Sequence, residues 1–219
     1  MNFKIDPVLV NKTALGITEI DFKNQTYDKK MWDELLNPLN EKISHDDTLE
    51  TIRNNPTIIS TKKVYKDLGK DPSRFRPSSD SLWRRVVKGK GLYQINALVD
   101  LNNYLSLIHK IPFGSYDLEN ISGDITFTVG KTGQAYHGIG KKNINLENML
   151  LLSDDNGPFG GPTSDSTRAM ISDDTKKAVI VAYMFNLDES IMTNIQDSVA
   201  KYVNEYLQDA DIRDQKIIQ

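Results

Sequence analysis

The stretch Ala178-Val179-Ile180-Val181-Ala182-Tyr183-Met184 is apolar or aromatic at every position. A strand with one face in water alternates apolar and polar residues. This one has no polar residue to turn outward, so it reads as a central strand covered on both faces. Working outward, residues 125–129, 135–137 and 149–152 are short β-like runs separated by Gly and Asn turns, and residues 15–22 alternate at period two. Helical spacing dominates elsewhere. Residues 28–43 carry Met31, Trp32, Leu35, Leu36, Leu39 and Ile43 at three- and four-residue steps, and Pro38 is expected to kink or divide that helix. Further helices are predicted over 56–68, closed by Gly69, from Ser78 or Ser79 through Val87 with a serine N-cap, and over 96–110, stopped by Pro112. A last helix follows Asp188 as N-cap, and the charged tail beyond it is expected to fray. Helices first and strands second, rather than strict alternation, favour an α+β fold: a central β-sandwich or mixed sheet flanked by helices. The reading is one domain over 1–219, with a core at about 57–185, an N-terminal strand and helix extension over 1–56 and a C-terminal helix over 188–208.

Composition narrows the chemistry. The 219 residues hold 27 Lys and Arg against 30 Asp and Glu, a formal charge of −3, and no cysteine. The absence of cysteine excludes disulfides, thiolate metal sites and a thiol nucleophile. His45, His109 and His137 are far apart and show no metal-binding spacing, and no phosphate-loop or dinucleotide glycine motif occurs, so no metal or cofactor is expected. His109, late in its helix, reads as a cation suited to the negative end of the dipole. No apolar run approaches a membrane span, and residues 1–6 lack the features of a secretory signal. A cytoplasmic protein without membrane partners is the expectation.

Charge is unevenly placed. Between Lys62 and Lys90 lie ten basic residues and three acids. That segment reads either as a solvated helical surface with Trp83 in the core, or as a face that steers a polyanion, with Phe75 and Trp83 available to stack on unpaired bases. Arg74 and Arg76, set between prolines, fit the first reading least. The second unusual feature is the loop Gly157-Pro158-Phe159-Gly160-Gly161-Pro162-Thr163-Ser164. Paired glycines allow backbone N–H groups close to a ligand or oxyanion, and equally allow a tight turn with no ligand. Ser164, Ser166 and Thr167 add hydroxyls, with no evident His and Asp partner to activate one.

The order of several weak motifs then becomes specific. Residues 98–104 (Leu-Val-Asp-Leu-Asn-Asn-Tyr), 111–118 (Ile-Pro-Phe-Gly-Ser-Tyr-Asp-Leu), 121–124 (Ile-Ser-Gly-Asp) and 152–155 (Leu-Ser-Asp-Asp), then Gly160-Gly161 with Ser164 and Thr175 before the central strand, resemble the editing module of the bacterial phenylalanyl-tRNA synthetase beta chain, its B3/B4 domain. Residues 69–79 resemble free-standing relatives of that module. The resemblance implies a pocket for the aminoacyl end of tRNA, no cofactor, and hydrolysis of a mischarged ester by a positioned water, with oxyanion stabilisation from the amides of Gly160 and Gly161. It implies a pocket of Asn102, Asn103, Gly114, Ser115, Tyr116, Gly160, Gly161, Thr163 and Val181. Arg74, Arg76, Arg84, Arg85, Lys88 and Lys90 would hold the RNA.

Three positions depart from the family pattern. Asn102 replaces a threonine, Gly114 replaces the pocket histidine, and Val181 or Ala182 falls where a glutamate reads the tyrosine hydroxyl. Selectivity for tyrosine through that glutamate is therefore not expected. The readings that remain are a stand-alone editing factor acting on aminoacyl-tRNA, a non-catalytic tRNA- or RNA-binding module, and a small-molecule amino-acid-binding protein. No synthetase core is expected, so the chain is not expected to charge tRNA itself. Gly160→Val is expected to block the pocket and leave the fold intact.

Overall fold

The computed structural model describes residues 1–140 and 143–219. The apolar stretch lies in β9 (Lys177–Phe185), which pairs antiparallel with β2 (Thr13–Lys23) on one side and β3 (Phe113–Asp117) on the other. With β10 (Gln208–Ile218) on the outer edge of β2, these strands form a sheet in the order β10-β2-β9-β3. A second sheet, β1-β4-β7-β8, consists of β1 (Phe3–Ile5), β4 (Ile125–Val129), β7 (Leu150–Asp154) and β8 (Gly157–Gly160). A small hairpin joins β5 (Ala135–Tyr136) to β6 (Ile144–Asn145).

Strand periodicity divides β9 between two cores. Val179, Val181, Tyr183 and Phe185 point into the sandwich with Leu15, Ile17, Phe127 and Leu152. Ala178, Ile180, Ala182 and Met184 point the other way, into a layer of helices. That layer comprises α2 (Asn37–Asp46), α3 (Leu49–Asn54), α4 (Pro56–Asp67), α5 (Ser78–Val87), α6 (Ala97–His109) and α7 (Glu189–Tyr206), with the short α1 (Lys29–Met31) ahead of them. The α+β class with a sandwich and flanking helices holds.

Several local expectations change. Pro38 does not break its helix. A π-helical turn over Trp32–Leu36, in which the Asn37 N–H reaches back to the Trp32 carbonyl, widens the helix just before the proline. The α5 N-cap position is Pro77 without a side-chain cap, and the hydroxyls of Ser78 and Ser79 are buried and unpaired. Asp188 occupies the N-cap of α7, but its side chain makes no capping bond. The tail does not fray: residues 208–218 pair along β2, where Arg213 bonds Asp21 at 2.7 Å and Gln215 bonds Thr18. Its charged side chains decorate an edge strand, and the backbone ladder supplies the order that composition conceals. β2 runs beside β9, so the N-terminal segment is part of the main sheet rather than an appendage. His109 is not a cation. Burial lowers its pKa to about 4, and its Nε2 lies 3.0 Å from Ser198 Oγ. Among the described residues, no helix is long and apolar enough to cross a membrane.

Candidate functional site

α5 presents two faces. Ser79, Trp83 and Val86 are buried in the helix layer, whereas Ser78, Ser81, Leu82 and Arg85, at helical spacing, line a cleft. The opposite wall is α6, through Asn102, Asn103 and Ser106, with Phe113 at the start of β3 and Thr163 of the glycine loop. The cleft measures about 600 Å³, and Arg76, Arg84, Lys88 and Lys90 also line it. The basic set and part of the pocket set, separate in sequence, thus share one cavity. Asn102, Asn103 and Thr163 line it together with Arg76, Arg84, Arg85, Lys88 and Lys90.

The cations differ in how far they are committed. Asp80, fully buried, takes Arg84 Nε at 2.5 Å and Lys62 Nζ at 2.8 Å, so both cations are anchored from below and Lys62 belongs to the structure. Lys70 donates to the Glu147 carbonyl and lies over the Phe75 ring. Arg76, Lys88 and Lys90 are exposed, and among the described residues no carboxylate lies within ion-pair distance of them. Arg74 lines an adjoining groove of about 370 Å³ that shares Arg76, Ser81 and Thr163 with the cleft. Trp83 is not a stacking platform. It is 2% exposed, with its indole N–H on Asp47 and the Lys110 ammonium over its ring.

The remaining predicted pocket residues lie elsewhere. Gly114, Tyr116, Gly160, Gly161 and Val181 belong to the sandwich interior, and Ser115, on the opposite face of β3, does not line the cleft. Tyr116 explains the glycines. A Cβ at Gly114 would stand 2.3 Å from its hydroxyl, and one at Gly160 2.2 Å from its ring. At the position where the resembling motif has a histidine, the space is filled by a phenol. Gly160→Val therefore breaks the packing and is not a clean probe of the cleft, contrary to the sequence-based expectation. Gly161 approaches the Leu150 carbonyl with no room for a Cβ, and its N–H donates to Asp165 at 3.1 Å rather than facing open space.

Asp165 was not singled out by sequence, having no motif around it. Tyr183 donates to Tyr116 (2.6 Å) because Tyr116 has spent its one proton on Asp165 Oδ1 (2.7 Å). Burial raises the Asp165 pKa to about 6 and holds both phenols protonated. Three more bonds secure the glycine loop over α5: the Ser78 N–H to the Pro162 carbonyl (2.8 Å), Tyr65 to Thr163 (2.6 Å) and Tyr136 to the Ser164 carbonyl (2.5 Å). Asn102, which lines the cleft, is 8% exposed, and its Oδ1 is buried without a hydrogen-bond partner among the described residues. Arg168 is structural: it forms a fork on Asp154 at 2.8 and 2.9 Å.

Several known proteins are similar to this chain. The phenylalanine–tRNA ligase beta subunit of Chromobacterium violaceum is 33% identical over 77 residues, 35% of this chain and 10% of that protein. That of Neisseria meningitidis serogroup B is 25% identical over 112 residues, 50% of this chain and 14% of that protein. The matched segments thus cover only 10% and 14% of the length of these relatives. An N-terminal fragment of the phenylalanyl-tRNA synthetase beta subunit from Pyrococcus horikoshii superposes on 99% of this chain and 50% of the fragment, with a TM-score of 0.49 and 13% identity. The B3/4 domain profile matches residues 60–210, from α4 through α7 into β10. The chain belongs to the B3/4 domain family and is related to the module carried by phenylalanine–tRNA ligase beta subunits.

Proposed function

We propose that this chain receives the aminoacylated end of a tRNA in the α5–α6 cleft and hydrolyses the ester there. One observation carries the reading: Asn102, Asn103 and Thr163 share a cavity with Arg76, Lys88 and Lys90. The cations meet phosphates, and the Asn102 side-chain amide meets a water. No carboxylate or imidazole lines the cleft among the described residues. The reaction therefore relies on amide and hydroxyl groups that orient water rather than on a general base.

A second reading, RNA binding without hydrolysis, is favoured by the phenol beside Gly114 and by the Gly161 amide already bound to Asp165. A panel of mischarged tRNAs separates the two, comparing wild type with the Asn102→Ala/Asn103→Ala variant. Release of one amino acid, lost in the variant, supports the hydrolase. No release from any member, with salt-sensitive binding retained, leaves the binding module.

A further inference from the structure

Tyr93 stands apart from the other aromatic residues near the basic helix. It is 51% exposed, on the segment between α5 and α6, and it lines the cleft. The Arg85 guanidinium covers part of its ring at 3.7 Å from the centroid, and Arg85 Nε is buried with no hydrogen-bond partner. The segment is held in place: Leu92 is buried, and the Ile95 N–H donates to Asp100 at 2.9 Å. A phenol held at the rim of a cationic cleft has its ordering cost met before any guest arrives, and it carries a free π surface.

A similar pairing occurs in the adjoining groove. Phe75 lies under Lys70 Nζ at 4.1 Å and lines the second groove. Arg76, Ser81 and Thr163 line both cavities, so the two adjoin, with Tyr93 lining one, Phe75 lining the other and the exposed Arg76 common to both. Unpaired RNA requires such an arrangement, with flat platforms for bases alternating with positive charge for the phosphates that join them. A duplex keeps its bases stacked on each other and has none to offer.

We propose that the two adjoining cavities together bind single-stranded RNA by base stacking, with Tyr93 on Arg85 as one station and Phe75 under Lys70 as the other. This rests on the RNA-end reading above and adds how the unpaired segment is held. The test uses a short fluorescein-labelled RNA of unpaired adenosines and an abasic strand with the same phosphates, bound to the full chain. Wild type binds the base-bearing strand more tightly. Tyr93→Ala loses about 5- to 100-fold on that strand alone, Phe75→Ala loses a similar factor, and Tyr93→Phe restores binding. Equal affinity for the two strands, or Tyr93→Ala indistinguishable from wild type, overturns the stacking stations. If Arg76→Ala still weakens binding in that case, the RNA-end reading survives. Failure of wild type to bind either strand overturns both.

Discussion

Asp165 ties the glycine loop to the sandwich by accepting from both Tyr116 and the Gly161 amide, and burial holds its pKa near 6. An unfolded aspartate titrates at about 3.9. Below that pH the carboxyl is protonated in both states and its favourable burial is fully present. As pH rises toward 6 the unfolded chain ionises first, and that stability is lost, roughly 2–3 kcal/mol in all. His109 acts in the opposite sense: buried with a pKa of about 4, it favours the folded state above about pH 6.5 and loses that contribution as pH falls. The net pH profile of the wild type therefore mixes two opposed effects, and a substitution separates them. Asp165→Asn keeps an acceptor for Tyr116 and removes the ionisation. Urea unfolding is expected to find it more stable than wild type at pH 7.5, with the difference shrinking at pH 5. A constant difference would show that Asp165 does not titrate in this range.

The edge strand β10 illustrates how an element can hide from a reading of composition. Its sequence, Gln208 through Ile218, alternates exposed charge with partly buried Ala210, Ile212 and Ile217, which pack against the helix-side core. The Gln196 amide from α7 bonds the carbonyls of Ile17 and Lys216, joining helix, β2 and β10. Removal of residues 208–219 uncovers the β2 edge and that amide. The truncated chain is expected to unfold at lower urea and to aggregate, which light scattering would register. Arg213→Ala removes only exposed ion pairs and is expected to cost less than about 1 kcal/mol. If both changes proved equally mild, the strand would be dispensable.

For the whole molecule, a formal charge of −3 is compatible with binding a polyanion because the cations gather at one cleft and salt screens the remainder beyond about 8 Å. Exposed Arg76, Lys88 and Lys90 should each release counterions from a phosphate. The triple alanine variant is therefore expected to lower the slope of log affinity against log salt by roughly 2 for single-stranded RNA, as read by titration at several salt concentrations. An unchanged slope would place the phosphates elsewhere. The sequence by itself determined the doubly covered central strand, the positions of most helices and the family resemblance, because these follow from local periodicity and from ordered short motifs. It also singled out the basic residues that line the cleft. Only the tertiary structure decided which of them remain free, since Asp80 is buried against Lys62 and Arg84 by packing that no spacing reveals. The tertiary structure likewise put the Tyr116 phenol into the space beside Gly114 and Gly160, turning a presumed ligand pocket into core. It also left Tyr93 at the rim of the cleft. These are contacts between residues far apart in the chain, and side-chain volume meeting side-chain volume is settled only when the layers close.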